Sequence, residues 1–477
     1  MATNHFVVIV GAVGALSACA DATDPLGPTR LAGSTPRGVA AALADVQRGA
    51  PFVLRGTVLT PDGAIKRGYV GIANGRIVSV SDKQPEIPDA VTISTDGIIL
   101  PGFVDLHNHV PWNALPRWSP GRTFSNQTEW ATDPEFRRVV GEPFDRVSAS
   151  SFCDMNAWAE LRALVGGTTS IMASQQVPCI HGLVRNLDFN SGFYGTTELD
   201  REHIFNVLHV PPASDASGRA AFVNAARFFI ANPFYEALAL HVAEGTDAAA
   251  EEEFTFLQAK SLLNAKGVLI HGVSLGPTDF QAMARTGVAL VWSPRSNLEL
   301  YAATADIRAA LDAGVEIALA PDWAITGSGN MLEELKTAAR WNRERLGGRL
   351  TDRQLIDMVT SVPARVAGVD DEVGAIRPGL RADLLVISRD DNAPYRAVID
   401  AVPSDVGLVV IDGTPLLGER ALMERFWDAV ELEEILVPKR TKVLGTAAAG
   451  VVAAEIGARL QAALTAAGTS LAHLTDP

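Results

Sequence analysis

The chain has 477 residues, of which 47% are hydrophobic and 20% are charged, and its formal net charge is −15. A chain of this length exceeds what one hydrophobic core normally fills, so we expect a large domain together with something smaller. The acidic balance argues against nucleic acid as a partner, because phosphate binding needs clustered lysine and arginine side chains. No internal stretch approaches the ~20 apolar residues of a membrane span, and a small-molecule ligand is therefore expected.

The first residues have the pattern of an export signal. Residues 6–16 form an apolar run that is too short to cross a bilayer. Residues 16–19 (Leu-Ser-Ala-Cys) resemble the lipobox of bacterial lipoproteins, in which cleavage before the cysteine allows its acylation. We predict a signal peptide at residues 1–18, a lipidated Cys19 and a linker within residues 19–50, on the periplasmic face of a bacterial membrane. Residues 1–5 contain no lysine or arginine, so an uncleaved apolar N-terminus stays open.

Two further cysteines, Cys153 and Cys179, allow two interpretations. In an oxidising compartment they can pair, whereas in a cytosolic protein they would be inert core thiols. Neither lies in the C-x-x-C or H-x-C spacing of zinc sites, so they are not predicted to bind a metal.

Short β-rich runs separated by turns begin at Phe52, and Asn74-Gly75 is a hairpin signal. A similar pattern returns in residues 374–387 and 407–413. The two ends are therefore predicted to build one composite domain from residues 51–98 and 371–420. The remaining residues 421–477 are predicted to form a helical extension.

Between these ends, apolar strand-like runs alternate with helical patterns over residues 99–370. Repeated β-then-α units predict a parallel sheet covered by helices. Their spacing over roughly 270 residues fits an eightfold barrel better than a shorter doubly wound sheet. The predicted fold class is thus α/β, with a (β/α)8 TIM-type barrel as the main domain.

A histidine pair follows the first apolar run of this region. His107 and His109 are two residues apart, so on a strand their side chains point to the same face. Alone, this pattern is weak, and two ordinary histidines on an edge strand would explain it. His241 and His271 each end a further strand-like run, and the C-terminal strand ends of β/α barrels form their active sites. Four histidines are therefore expected to converge.

An acidic residue completes the set. Asp322 ends the apolar run of residues 316–322 and precedes the polar, glycine-rich residues 326–330. Three neutral imidazoles and one carboxylate with an open coordination position are typical of a catalytic zinc or iron site.

In their order along the chain, these residues resemble the amidohydrolase superfamily over about residues 52–413. Residues 101–109 resemble its strand-one signature, and His241 with Glu244 resembles the H-x-x-E of its deaminase and chlorohydrolase branch. The further matches are His271 at strand six, residues 293–297 at strand seven, Asp322 at strand eight, and the flanking residues 378–384.

The resemblance implies a β/α barrel beside a small β-sandwich domain built by the flanking segments. Binuclear members carry a strand-four lysine, and residues 204–210 contain none, so one divalent metal ion, Zn²⁺ or Fe²⁺, is implied. Its implied ligands are His107, His109, His241 and Asp322. In such members the strand-six histidine contacts the substrate and the attacking water, which is the role implied for His271.

The implied mechanism is metal-assisted hydrolysis, in which the ion lowers the pKa of water from 15.7 toward roughly 7. Asp322 and His271 would orient or deprotonate that water, and Glu244 would pass protons to the leaving group. The predicted reaction hydrolyses a non-peptide carbon–nitrogen bond, as in deamination of a cyclic amidine-like heterocycle. Hydrolysis of a cyclic amide or a carbon–halogen bond stays open, as does a periplasmic binding lipoprotein without turnover.

The residues beside the metal motifs are candidates for substrate binding, with Arg295 indicating an anionic group, although aromatic residues at a barrel rim are as often packing residues. These candidates are Trp112, Arg295, Asn297 and Trp323. Beyond a small-molecule substrate and a lipid anchor no partner is predicted, and homo-oligomerisation stays open.

Two other signals are set aside. Residues 272–276 match the G-x-S-x-G of serine hydrolases, but His473 is the only histidine after Ser274, so we interpret this match as chance. The three histidines without a partner pattern are assigned no role; they are His181, His203 and His209.

Overall fold

In this computed structural model the described residues are 51–172, 183–187, 204–389 and 392–475. No helix within these ranges is long and apolar enough to cross a membrane. Several residues with sequence predictions lie outside the described residues: the signal segment, Cys19, Cys179, His181 and His203.

One mixed sheet contains strands from both ends of the chain. Its N-terminal strands are β1 (Phe52–Thr60), β2 (Gly63–Ala73), β3 (Arg76–Ser81) and β4 (Val91–Pro101). Its C-terminal strands are β13 (Leu384–Ile387), β14 (Val406–Ile411), β15 (Thr414–Gly418), β16 (Leu432–Val437) and β17 (Arg440–Gly445). The spatial order is β16-β17-β15-β14-β13-β4-β1-β2-β3. Strand β4 joins the halves, since it pairs in parallel with β1 and antiparallel with β13.

Local sequence explains the hairpin between β2 and β3. Asn74 and Gly75 both adopt positive φ, at 51° and 74°, which a two-residue turn of the predicted kind requires. The two halves of the sheet then share one buried apolar cluster, which includes Leu54 and Ile72 from one half and Leu408 and Val443 from the other. The sandwich-like core expected from the flanking segments is therefore built by one continuous sheet of nine strands.

The prediction of an all-helical C-terminal extension is wrong for two segments. Leu432–Val437 and Arg440–Gly445 are paired antiparallel strands, and β17 adds them to the edge of the sheet beside β15. The physical reason is the period-two pattern in which Ile435 and Val437 are buried, which suits a strand rather than a helix. Helices follow only at Thr446–Ala449 and Ala453–Ala466.

Two parallel sheets occupy the middle of the chain. The first contains β5 (Phe103–Asp105), β6 (Thr168–Ile171) and β7 (Arg185–Asn186), in that order. The second contains β8 (Ile204–His209), β9 (Ala237–Val242), β10 (Gly267–His271), β11 (Ala289–Trp292) and β12 (Ile317–Leu319), ordered from β12 to β8. Strands β9 to β12 are buried along their whole length, as expected of parallel strands covered on both faces.

The two parallel sheets meet beyond the ends of β5 and β12. An isolated parallel bridge joins Asn108 to Asp322. The backbone N–H of His109 donates to the carbonyl of Asp322 at 2.8 Å, and the N–H of Asp322 donates to the carbonyl of His107 at 3.2 Å. The described residues thus show a mixed α/β architecture in which first and last parallel strands are neighbours.

Helices follow most of the parallel strands. They are α1 (Gln127–Ala131), α2 (Pro134–Phe136), α3 (Glu142–Val165), α4 (Ala216–Ala231), α5 (Ala248–Ala259), α6 (Pro277–Thr286), α7 (Pro294–Tyr301), α8 (Ile307–Ala313), α9 (Met331–Arg345), α10 (Asp352–Asp357), α11 (Ser361–Val366), α12 (Pro394–Ile399), α13 (Arg420–Met423), α14 (Thr446–Ala449) and α15 (Ala453–Ala466). A π-helix at Arg137–Gly141 precedes α3, and 3-10 helices lie at Val110–Ala114, Pro403–Asp405 and Ala429–Glu431. Side-chain caps set several starts: Asp247 accepts from two N–H groups of α5, and Asn330 accepts from one of α9.

A buried ion pair ties the mixed sheet to the parallel strands. Arg185 on β7 donates to both carboxylate oxygens of Asp383, at 3.1 and 2.9 Å, and both side chains are inaccessible to solvent. The N–H of Asp412 also donates to Asp383, at 2.8 Å. This bidentate contact satisfies the buried guanidinium and links the two parts of the fold.

Cys153 on α3 is disulfide-bonded. Cys179, the cysteine with which the sequence allows it to pair, lies outside the described residues.

Candidate active site

The histidine pair lies just beyond the end of β5. The strand ends at Asp105, and the bridge at Asn108 keeps the following segment extended. Asp105 supports this segment, since its carboxylate accepts from the N–H of His107 at 3.1 Å and from the amide of Asn108 at 2.7 Å. Alternation along the extended segment then turns His107 and His109 to the same side.

Three histidines converge with a carboxylate at the ends of the parallel strands. One ring nitrogen from each of His107, His109 and His241 lies within 4.8 Å of the other two. Asp322 Oδ1 is 2.8 Å from His107 Nε2 and 3.4 Å from His109 Nε2. The structure therefore brings together the predicted metal ligands.

The chemistry of these four side chains fits a metal ion. Burial lowers the pKa of His107, His241 and His109, the last to about 3, so all three imidazoles are neutral and keep a lone pair. Burial opposes ionisation of Asp322, but its contacts with His107 hold the pKa of that carboxyl well below its usual range. Buried Nδ1 atoms of His107 and His241 have no hydrogen-bond partner among the described residues. Neutral imidazoles and an ionised carboxylate are the form in which a metal binds them.

The backbone is strained where these strands end. His271 and Asp322 adopt positive φ, at 72° and 69°, and so does Ala243 at 58° in the turn after His241. This conformation is unfavourable for residues with a Cβ and persists where the surroundings enforce it, which is typical of functional sites. Glu253 on α5 helps to hold the turn, because its carboxylate accepts from the N–H of Ala243 at 2.8 Å.

His271 is held in one orientation. Its Nδ1 lies 2.9 Å from Asn297 Oδ1, and the Asn297 amide nitrogen donates to the hydroxyl of Thr304 at 3.2 Å. The amide oxygen thus accepts the Nδ1 proton, and in the neutral ring Nε2 carries the lone pair. That Nε2 lies 3.7 Å from Glu244 Oε2.

Glu244 is buried at the same place. Tyr301 donates its hydroxyl proton to Glu244 Oε1 at 2.7 Å, whereas Oε2 has no hydrogen-bond partner among the described residues. Burial raises the pKa of this carboxyl, so Glu244 keeps a proton at a higher pH than an exposed glutamate does. A carboxyl with one free oxygen beside an oriented imidazole is suited to acid–base catalysis.

A small pocket opens between these groups. The residues that line it are His109, Gln127, Trp130, His241, Glu244, His271, Asp322 and Trp323. Its lining therefore combines two indoles and the Gln127 amide with residues that have acid–base or metal-binding chemistry.

Of the predicted substrate-binding residues, Trp323 lines the cavity. Trp112 instead stacks on Phe144, with ring centroids 3.6 Å apart. Arg295 is paired with Glu333 at 2.8 Å, and Asn297 orients His271 as described above. The described cavity wall thus contains no arginine that would favour an anionic group.

Sequence reasoning missed four residues of the site. His209, assigned no role, stacks on His241 with ring centroids 4.2 Å apart, and Gln127 Nε2 lies 3.2 Å from its Nδ1. A signal was present, because His209 ends a strand-like run just as His241 does. Trp130 and Tyr301 have no such signal, since their positions depend on packing between α1 and α7.

Within the described residues, Ser274 of the G-x-S-x-G match is not arranged as the nucleophile of a serine hydrolase. Ser274 Oγ is buried without a hydrogen-bond partner there, and no histidine is placed to activate it. The interpretation of that match as chance therefore stays in place.

Comparison with known proteins adds to this geometry. Residues 236–416 match the amidohydrolase family. The matched residues include His241, Glu244, His271 and Asp322. Together with the similar proteins named below, this match identifies the chain as a metal-dependent hydrolase that acts on carbon–nitrogen bonds.

The chain is similar in sequence to two curated deaminases. It is 26% identical to a 5-methylthioadenosine/S-adenosylhomocysteine deaminase of Desulfitobacterium hafniense over 409 residues, which cover 76% of this chain and 91% of the relative. It is 24% identical to a 5'-deoxyadenosine deaminase of Methanosarcina mazei over 410 residues, which cover 77% and 92%.

Solved structures show the same fold. A triazine hydrolase from Arthrobacter aurescens has a TM-score of 0.65 at 19% identity, over 87% of this chain and 99% of that one. An adenosine deaminase from Xanthomonas campestris with bound zinc has a TM-score of 0.56 at 18% identity, over 86% and 98%. At these identities the likeness concerns architecture alone.

Proposed function

We propose that this amidohydrolase removes the exocyclic amino group of a 6-aminopurine nucleoside by hydrolysis and releases ammonia. The observation that carries the proposal is the buried Glu244, whose Oε2 has no hydrogen-bond partner among the described residues and lies 3.7 Å from His271 Nε2 beside the proposed metal ligands. The names of the two similar deaminases support the substrate class. Zinc is the proposed ion, since solved structures of the same fold contain it.

The four residues proposed to hold the ion are His107, His109, His241 and Asp322. When bound, a divalent ion supplies Lewis-acid chemistry and makes water a nucleophile near neutral pH. The chain's own groups then handle the protons. Asp322 and His271 orient the water, and the lone pair on His271 Nε2 can accept a proton from it.

Glu244 performs the remaining proton transfers. Its raised pKa lets it hold a proton and donate it from Oε2 to the ring nitrogen beside the reacting carbon. A carbon–oxygen bond forms and the carbon–nitrogen bond to the amino group breaks. One proton of the water ends on the ring nitrogen and the other on the departing ammonia, so atoms balance and nothing is oxidised.

The indoles of Trp130 and Trp323 contact each other, with ring centroids 5.4 Å apart and planes tilted by 53°, and together they line one apolar part of the cavity. An apolar aromatic surface of this kind can pack against a planar heterocycle. The described wall lacks an arginine or lysine, which favours a neutral ring at this end of the substrate.

The two parallel sheets are proposed to be arcs of a single (β/α)8 barrel. The backbone hydrogen bonds between the segments after β5 and β12 support closure on one side. In such a barrel the C-terminal strand ends carry the active site, which agrees with the position of His241 and His271.

The deamination proposal predicts ammonia release from a defined probe. Zinc-loaded enzyme incubated with 5'-deoxyadenosine is expected to form one ammonia for each molecule of the corresponding 6-oxopurine nucleoside, as measured by an ammonia assay and chromatography. Glu244→Gln enzyme is the matched control for contaminating deaminases. Chloride release from a chlorinated triazine without any ammonia from aminopurines would favour the carbon–halogen alternative. Saturable binding of 5'-deoxyadenosine without turnover would favour a binding protein.

The enzyme is further proposed to be exported and lipid-anchored through Cys19. The support is the apolar run of residues 6–16 followed by Leu-Ser-Ala-Cys. Expressed at full length in a bacterium fed radiolabelled palmitate, the protein is expected to incorporate label and to sediment with membranes. Cys19→Ala is expected to abolish the label. Equal labelling of both proteins, or none in either, would contradict the anchor.

A further inference from the structure

A chain of two hydrogen bonds ends on Glu244. The indole Nε1 of Trp130 lies 2.7 Å from the hydroxyl of Tyr301, and that hydroxyl lies 2.7 Å from Glu244 Oε1. All three side chains are buried, with at most 5% of their surface exposed. Three different elements contribute to the chain: α1, α7 and the turn after β9.

The direction of both bonds follows from the donor chemistry. An indole N–H can only donate, so the oxygen of Tyr301 is the acceptor of the first bond. The hydroxyl has a single proton, which is then directed to Glu244. Oε1 of Glu244 is consequently an acceptor, and any proton that the carboxyl carries lies on Oε2.

Oε2 is the oxygen placed for chemistry. It has no hydrogen-bond partner among the described residues, it lies 3.7 Å from His271 Nε2, and its residue lines the cavity. In a carboxyl group that rotates freely, either oxygen can carry the proton, and the proton can point either toward or away from the substrate. A fixed Oε1 removes this freedom, and such orientation contributes directly to rate.

We propose that Tyr301, itself oriented by Trp130, is a positioning residue that restricts the exchangeable proton of Glu244 to Oε2. The inference rests on the proposed function in one respect, namely that Glu244 is the acid–base group. It also identifies a role for α1 and the residues just before it, which the hydrolytic reaction alone does not require.

The same segment is tied to the turn that carries Glu244. The N–H of Gln127 donates to the carbonyl of Glu244 at 3.1 Å, and the N–H of Thr246 donates to the carbonyl of Ser125 at 2.7 Å. Trp130 therefore serves two purposes, as a cavity wall and as the first donor of the chain. A ring bound against this indole contacts the group that orients the acid–base residue.

The kinetic test is Tyr301→Phe in the zinc-loaded enzyme with 5'-deoxyadenosine. We expect kcat to fall about tenfold, which corresponds to losing one hydrogen bond to an ionisable group, while KM and zinc content stay unchanged. In the Glu244→Gln background the same substitution should leave the residual kcat unchanged, because proton placement no longer matters. Tyr395→Phe is the matched control, since its hydroxyl has no partner among the described residues.

An infrared measurement separates this inference from the proposed function, because it needs no substrate. The carboxyl stretching band of Glu244 is obtained as the difference between wild type and Glu244→Gln. We expect Tyr301→Phe to shift this band, and Trp130→Phe to shift it less, whereas Tyr395→Phe leaves it in place. An unchanged band in Tyr301→Phe would overturn the inference, as would an equal loss of kcat with and without Glu244. A shifted band in an enzyme that does not deaminate the nucleoside would contradict only the proposed function.

Discussion

Wild-type enzyme is expected to contain close to one equivalent of zinc per chain, and His241→Ala is expected to lose both the ion and the activity. His241 is 3% exposed and meets His107 with ring centroids 4.7 Å apart, so no solvent molecule or neighbouring side chain replaces the missing nitrogen easily. Even residues that only support a metal ligand change metal affinity by about 10–100-fold, and a ligand itself should exceed this. Elemental analysis beside a steady-state assay measures both losses.

His473→Ala is the matched control for this experiment, because His473 is exposed near the C-terminus and does not line the cavity. It should keep the zinc content and kcat of the wild type. Two equivalents of metal in the wild type would indicate a binuclear site, in conflict with the absence of a strand-four lysine. A metal-free wild-type protein that still hydrolyses its substrate would contradict the metal-dependent mechanism.

Much of the metal centre was predictable because, in repeated β/α units, the carboxyl ends of the parallel strands lie at one edge of the sheet. A polar residue directly after an apolar run marks the carboxyl end of a buried strand, and parallel strands bring those ends to one edge. His107, His241, His271 and Asp322 all carry that local signal. Their mutual distances then follow from the order of the strands and needed no information on side-chain packing.

The residues that orient this centre carry no such signal. Tyr301 is the last residue of α7 and lies 57 positions from Glu244, so their contact depends on the length and tilt of a helix. Trp130 reaches Tyr301 only because the segment before α1 pairs with the turn at Gly245. Both contacts depend on tertiary packing, which cannot be predicted from residue patterns along one chain.

The C-terminal strands illustrate a different limit. Leu432–Val437 alternates buried and exposed side chains only toward its end, and the two glutamates at its centre dilute the apolar signal. As an edge strand it needs few apolar residues, and charged side chains suit an edge because they hinder pairing with other chains. A helical prediction from composition was therefore wrong where the strand pattern was weakest.

Substitution of Glu244 by glutamine is expected to lower kcat by about 10²- to 10⁴-fold, the usual contribution of a positioned acid–base group. Glutamine keeps the size of the side chain, and its amide oxygen still accepts from Tyr301. It cannot carry or release the proton that deamination requires, so the rate of the chemical step falls while zinc content and KM stay near their wild-type values.

Glu251→Gln provides the matched control, since Glu251 is an exposed glutamate in the first turn of the following helix and should change kcat by less than about twofold. Loss of zinc from Glu244→Gln would mean that Glu244 is a ligand rather than a proton carrier, and the proton transfers would then have to be assigned to His271 alone. Retention of kcat with zinc bound would remove Glu244 from the mechanism altogether. Loss of zinc would revise the set of metal ligands, whereas retained kcat would revise the assignment of the proton transfers. Together with the His241→Ala measurement, this substitution therefore separates metal binding from proton transfer in the active site.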